Sequence, residues 1–189
     1  GVRLSYCLDE WARLGKKYPP ALRRLEERAQ EALSLLEETR NPERFHDFTA
    51  ICRYLNLNGE PVRRFLLYHL SDSDLATSIV RFIWDELVRD KQWAVCVSYL
   101  GAPKERYDMA LLKFDQSMKI SKGDPSLGGK DFEKQIRGWY VRDVANLLLV
   151  LRNIGATEEA ASVEAAMEND MCSRDVLHIA HEVRERIAR

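Results

Sequence analysis

Apolar residues recur at three- and four-residue intervals along almost the whole chain, the pattern of helices that bury one face. Leu4, Leu8, Trp11 and Leu14 share such a face, and Gly15 is expected to end that segment. Pro19-Pro20 opens a second helix with a stripe of Leu22, Leu25, Ala29, Ala32, Leu33 and Leu36. Its outer face carries Arg and Glu three and four residues apart, a solvated pattern. Asn41-Pro42 breaks the chain and puts Pro42 at a helix start, after which Phe45, Phe48, Ile51, Cys52 and Leu55 form a third stripe. Asn58-Gly59 is a tight break, and Pro61 opens a short helix reaching about Leu70. The run Ser71-Asp72-Ser73-Asp74 then reads as a stop followed by an N-cap.

The second half continues in the same way. Ile79, Phe82, Ile83, Trp84 and Leu87 are expected on one long helix ending near Asp90, with Trp93, Val97 and Leu100 on the next. Pro103 starts a helix holding Tyr107, Leu111, Phe114 and Met118. Three glycines and a proline make "SKGDPSLGGK", residues 121–130, the one clear long loop. A helix from about Asp131 to Asn153 follows, and its run Val144–Leu151 is so apolar that the helix is expected to be central. Gly155 suits a left-handed C′ position and Thr157 an N-cap. Ser173 is expected to cap a last helix through Val176, Ile179, Ala180, Val183 and Ile187. No alternating strand pattern occurs. The expectation is an all-α fold of about nine helices, either stacked antiparallel hairpins or an irregular bundle.

With 189 residues, 46% of them hydrophobic, the chain suffices for one domain with a sizeable core. Within a single domain spanning 1–189, residues 1–40 read as an N-terminal hairpin, 43–168 as helical repeats interrupted by the 121–130 loop, and 173–189 as a capping helix. Lys+Arg 29 against Asp+Glu 30 gives a net charge of −1 without any dense basic run, which argues against a nucleic-acid partner. The Val144–Leu151 run is far short of the ~20 residues of a membrane helix. Residues 1–30 are too charged to hold a signal-peptide core. Cys7, Cys52, Cys96 and Cys172 are widely spaced among apolar neighbours and read as reduced core thiols, pointing to a cytoplasmic protein.

Leu55, Leu87 and Leu151 fall in one column of a repeat, with Gly59, Lys91 and Gly155 in its turn column, 32 and then 64 residues apart. Each turn is followed by a second helix: "EPVRRFLLYHL", "QWAVCVSYL" and "TEEAASVEAAM". A helix–turn–helix period in the low thirties resembles the tetratricopeptide (TPR) family, whose units stack into a right-handed superhelix. The resemblance covers about residues 43–168. Cys96 and Ala160 match the small residue that TPR units carry early in the second helix, whereas Arg64 stands there in the first unit. The Trp-Leu-Gly-Tyr pattern of the first helix is absent, and the 121–130 loop interrupts the third unit. Size, near-neutral charge and degenerate repeats are also similar to small bacterial helical proteins that act as immunity partners of secreted toxins.

Candidate chemistry is sparse. A phosphate-binding loop would need a glycine where Asp124 stands and a Ser or Thr where Asp131 follows Lys130, between a strand and a helix, so "GDPSLGGK" fails that pattern. Its glycine hinges still make the loop a candidate contact element. Asp175, His178, His181 and Glu182 lie three and four apart on the last helix, and the last three form the alternative metal set. The histidines are three apart with no Glu after the first, unlike the zinc-protease arrangement. His46-Asp47 and Tyr68-His69 are isolated pairs. Trp139-Tyr140 with Arg137 and Arg142 combines the residue types that most often anchor protein interfaces. If Trp139 is core, Tyr140 lies about 100° away at its edge. The stretch "TEEAASVEAAMENDM" offers an acidic helix face.

These features point to a non-catalytic protein-interaction module needing no cofactor. Its expected partner is another protein, such as a secreted toxin domain, met by Trp139, Tyr140, Arg137, Arg142, Glu158, Glu159, Asp124 and Lys130. The alternatives are a metal-dependent or ligand-binding helical enzyme built on His178, His181 and Glu182, or a self-associating scaffold. The chain is expected as a monomer or homodimer.

Overall fold

The computed structural model describes residues 2–123, 129–174 and 176–188, with side chains from Cys7 onward. Eleven α-helices and one 3-10 turn make up the secondary structure of these residues, with no strand among them. The fold is all-α. The chain divides into two compact units, Gly1–Leu87 and Val88–Arg189.

The first unit holds α1 (Val2–Lys17), α2 (Pro19–Thr39), α3 (Glu43–Tyr54), α4 (Gly59–Ser71), α5 (Ser73–Ile79) and the 3-10 turn Val80–Phe82. Helix α6 (Trp84–Arg89) begins there. Local chemistry sets most of the breaks. Pro19 takes the first position of α2, and Arg40 ends that helix in the left-handed region (φ 57) with its N–H on the Leu36 carbonyl. Asn41 Oδ1 accepts the Glu43 N–H (3.1 Å) at the start of α3. Asp72 closes α4 and caps α5 through the Leu75 N–H (3.1 Å). Arg40 holds the same carboxylate with both guanidinium ends. Helix α3 packs on α1, α2, α4 and α5. Phe45, Phe48, Phe65, Leu25, Leu36, Ile79 and Ile83 are fully buried around it.

Three expectations are corrected in this unit. Gly15 does not end α1 but lies inside it, and a Cβ there would sit 3.2 Å from Leu22 Cβ. Its role is to let α1 approach α2 closely. The α2 stripe is buried as expected from Leu25 to Leu36 but begins differently: Ala21 is buried, its carbonyl accepting from Trp11 Nε1 (2.9 Å), and Leu22 is exposed. The expected long helix to Asp90 is broken into α5, the 3-10 turn and α6. Ile83 leaves helical geometry (φ −125, ψ 0), so that Phe82 stacks on His46 of α3 (4.8 Å, 7°) while Ile83 and Trp84 both enter the core.

The second unit contains α7 (Trp93–Ser98), α8 (Pro103–Gly123), α9 (Gly129–Asn153), α10 (Thr157–Ser173) and α11 (His178–Ala188). Helix α9 is its centre, as its apolar run implies: it packs on α7, α8, α10 and α11. Ile136, Val144, Ala145, Leu147, Leu148, Val150 and Leu151 are almost fully buried on it. The long loop is shorter than expected, since helix extends to Gly123 and resumes at Gly129. Residues 124–128 lie outside the described residues. Two caps also differ. Thr157 is the first helical residue of α10, and its cap position is Ala156, without a side-chain bond. Ser173 is the last residue of α10, its hydroxyl donating to the Asp170 carbonyl (2.9 Å).

The turn column also shifts. Lys91 (φ 56) and Gly155 (φ 79) are left-handed, but in the first hairpin the left-handed residue is Asn56 (φ 59) and not Gly59. At Asn56 the Leu57 N–H reaches the Cys52 carbonyl (2.9 Å) and the Asn56 N–H the Arg53 carbonyl (3.3 Å). At Gly155 the Ala156 N–H reaches Leu151 (2.9 Å) and the Gly155 N–H reaches Arg152 (3.3 Å). Both are the same paired-bond helix ending, which requires one residue in the left-handed well. Asn tolerates that conformation because its short polar side chain lowers the steric cost. The thiols divide likewise: Cys52 and Cys96 are buried, whereas Cys7 and Cys172 are exposed and not core. Burial pushes Cys52 up to about 12 and Cys96 up to about 11.

Candidate functional site

Helices α8 and α9 pack side by side and leave a groove of about 380 Å³ on the surface of the second unit. Ile136 and Tyr140 of α9 and Phe114 of α8 form its apolar floor, and Phe114 and Tyr140 lie ring to ring at 5.1 Å. Trp139 makes one wall. It is 40% exposed, with Phe132 edge-on behind it at 6.2 Å. Lys113, Ser117, Arg142 and Asp143 supply the polar rim. Arg142 Nη2 lies 3.1 Å from Asp143 Oδ1, so that cation is partly balanced, while Lys113 is exposed on the α8 side.

The two adjacent aromatics are therefore placed the other way round from the expectation. Tyr140 is the core residue, 2% exposed, and Trp139 is the edge. Tyr140 is admitted to the interior because its hydroxyl donates to Tyr107 Oη on α8 (3.4 Å). Tyr107, itself 0% exposed, donates to Asp170 Oδ2 on α10 (2.9 Å). The chain of polar groups continues outward. Arg174 Nη1 donates to the Asp170 carbonyl (2.9 Å), and its other end grips Asp115 (Nε–Oδ1 3.0 Å, Nη2–Oδ2 2.7 Å). Burial is the largest cause raising both tyrosines, Tyr140 to about 12 and Tyr107 further. Hydrogen bonds to Asp115 raise Arg174. Both phenols are thus neutral donors at ordinary pH, and the network fastens α8, α9 and α10 below the groove.

Arg137 points elsewhere. Its Nη1 lies 3.0 Å from His178 Nε2 and 3.9 Å from Glu182 Oε1 on α11. His181 Nδ1 is 3.8 Å from Glu185. Two members of the alternative metal set thus face a guanidinium while His181 faces Glu185, and no group of three or more potential ligands occurs among the described residues. Asp175 lies outside them.

The acidic face of α10 is largely used within the unit. Glu164 pairs with Arg152 (2.6 Å), Glu168 with Arg184, and Asp170 belongs to the buried network. Glu158 and Glu159 remain exposed in the first turn, where negative charge suits the helix dipole. Lys130 is exposed in the first turn of α9, and Asp124 lies outside the described residues. Of the expected contact residues, the structure gathers Trp139, Tyr140 and Arg142 at one groove; Arg137, Lys130, Glu158 and Glu159 are not among its lining. Phe114 belongs to the apolar stripe expected on α8, whereas Lys113, Ser117 and Asp143 were not singled out in sequence, because nothing local marks which polar residues flank that stripe where α8 meets α9.

No family model, curated protein or solved structure matches the chain.

Proposed function

We propose that the chain is a non-catalytic module that binds another protein, of the kind that neutralises a cognate bacterial toxin. Exposed Trp139, standing at an aromatic-floored groove, carries the reading. A large aromatic side chain gains most when a partner covers it, and Trp and Arg dominate the residues whose truncation costs interfaces most. The groove has apolar depth beside charged rim groups, the anatomy of a protein contact. The toxin version rests on the resemblance in size, charge and repeat pattern.

Co-expression tests it. The product of the adjacent reading frame, induced alone in bacterial cells, should arrest growth, and this chain should relieve the arrest and co-elute with that product as a stoichiometric complex. A harmless neighbour that never co-elutes would remove the toxin version. Stoichiometric zinc or iron in the purified protein would favour the metal-dependent alternative instead.

A further inference from the structure

Resting on the reading of the chain as a protein-binding module, we propose that the α8/α9 groove takes an acidic segment of the partner, anchored by one bulky apolar side chain. The floor of Ile136, Phe114 and Tyr140 offers hydrocarbon and aromatic surface without a buried charge. Its volume, about 380 Å³, lies at the small end of ligand pockets (~300–1,000 Å³), room for one large side chain and its immediate neighbours. The rim sets the sign of the partner. Arg142 is paired with the neighbouring Asp143, whereas Lys113 has no ion pair among the described residues, leaving the rim with one formal positive charge in excess. A carboxylate flanking the anchor would meet Lys113; a lysine there would be repelled.

Gly138 adds an independent observation. It lies inside α9, exposed, and a Cβ built on it meets nothing within 4 Å. Packing within the unit gives no reason for a glycine, which costs a mid-helix position roughly 0.5–1 kcal/mol relative to alanine. It adjoins Trp139 and sits one turn before Arg142 on the same side of the helix. Gly138 does not itself line the groove, but bare backbone beside the Arg142 rim leaves room there for a bound chain to lie close against α9.

Peptide display on the whole protein, followed by synthesis of the enriched peptides, tests the assignment. Enriched sequences should combine an aromatic residue or Leu with flanking Asp or Glu. Binding should weaken about tenfold or more in Trp139→Ala and about fivefold in Lys113→Glu, with the Lys113 effect shrinking in high salt. Gly138→Ala should weaken binding while melting at a higher temperature than the wild type, which separates lost contact from lost folding. Basic enriched peptides, or acidic ones that bind Trp139→Ala as tightly as wild type, would overturn the groove assignment and leave the binding-module reading standing. No enrichment at all would overturn both. A wild-type dimer in sedimentation that Trp139→Ala dissolves would give the groove to a second copy of this chain, against the proposal.

Discussion

Tyr107 is the group whose loss should be felt most widely in the second unit. It is fully buried, donates to Asp170 at 2.9 Å and accepts from Tyr140 at 3.4 Å. Tyr107→Phe keeps the ring and removes both bonds. A hydrogen bond to a carboxylate contributes about 1.5–3 kcal/mol, and a buried hydroxyl left without its acceptor costs about 1 kcal/mol more. The expected loss is therefore about 2.5–4 kcal/mol, a fall in Tm of roughly 6–10 °C for a chain of this size. Tyr140→Phe in the wild-type background removes only the long neutral bond and should cost about 0.5–1 kcal/mol.

The double variant discriminates between a network and two independent contacts. Once Tyr107 has lost its hydroxyl, the Tyr140 hydroxyl is a buried donor without that acceptor, so deleting it should be neutral or stabilising. The two changes should then couple by about 1–2 kcal/mol, well above the ~0.3–0.5 kcal/mol scatter of independent sites. Urea unfolding of the four proteins, followed by far-ultraviolet circular dichroism, gives the cycle. Equal costs of Tyr140→Phe in both backgrounds, or a Tyr107→Phe cost below about 0.5 kcal/mol, would show that the hydroxyl chain does not hold the unit together.

Two further outcomes concern other parts of the chain. Hydrogen bonds from Arg40, and then from the Leu75 N–H, hold Asp72 down at about 2 against an ordinary 3.8. Its contribution is therefore present above the ordinary value and lost as pH falls through about 2, so Asp72→Asn should flatten the acid limb of a Tm-against-pH curve in that window; a variant limb parallel to wild type would refute the linkage. Native protein treated with a thiol reagent near pH 8 should show a fast phase from exposed Cys7 and Cys172 alone, because Cys52 and Cys96 are buried and held protonated. Loss of fast-phase amplitude in Cys52→Ser or Cys96→Ser would contradict that division.

The helix ends that carry their own chemistry could be read from sequence. Pro19, Pro42 and the left-handed Gly155 act through neighbouring backbone, so their effect is visible in a few consecutive letters. What required the fold were positions decided by a distant neighbour. Gly15 looks like a terminator until Leu22 is seen 3.2 Å from its missing Cβ. The break after Ile79 makes little sense along the chain, since Ile79, Ile83 and Leu87 keep helical spacing. His46 on α3 supplies the surface on which Phe82 stacks, and Arg81 pairs with Glu43 (2.9 Å) beside it. Asn56 and not Gly59 holds the left-handed turn position for a related reason: glycine is the usual left-handed residue, yet the paired-bond ending falls where the Cys52 and Arg53 carbonyls come free.

The candidate site shows the same division at the scale of two letters. Period alone places Trp139 and Tyr140 about 100° apart without saying which turns inward. The phase was nevertheless available: Ile136, Val144, Leu148 and Leu151 step by three and four, and that series passes through Tyr140 and misses Trp139. The hydroxyl argues against burying Tyr140, and only a partner can reverse that. Tyr107 is that partner, 33 residues earlier, and it depends in turn on Asp170, 63 residues further on. The exposure of Trp139 is thus the surface consequence of a buried polar chain through three helices. Tyr140 is at once the floor of the groove and the inner end of that chain, so Tyr107→Phe should loosen the groove floor along with the unit. Trp139→Ala forfeits its packing on Phe132 but lies outside the chain, so it should leave the Tyr107–Tyr140 coupling unchanged. A coupling that vanished in the Trp139→Ala background would place Trp139 within the buried chain after all, and the groove with it.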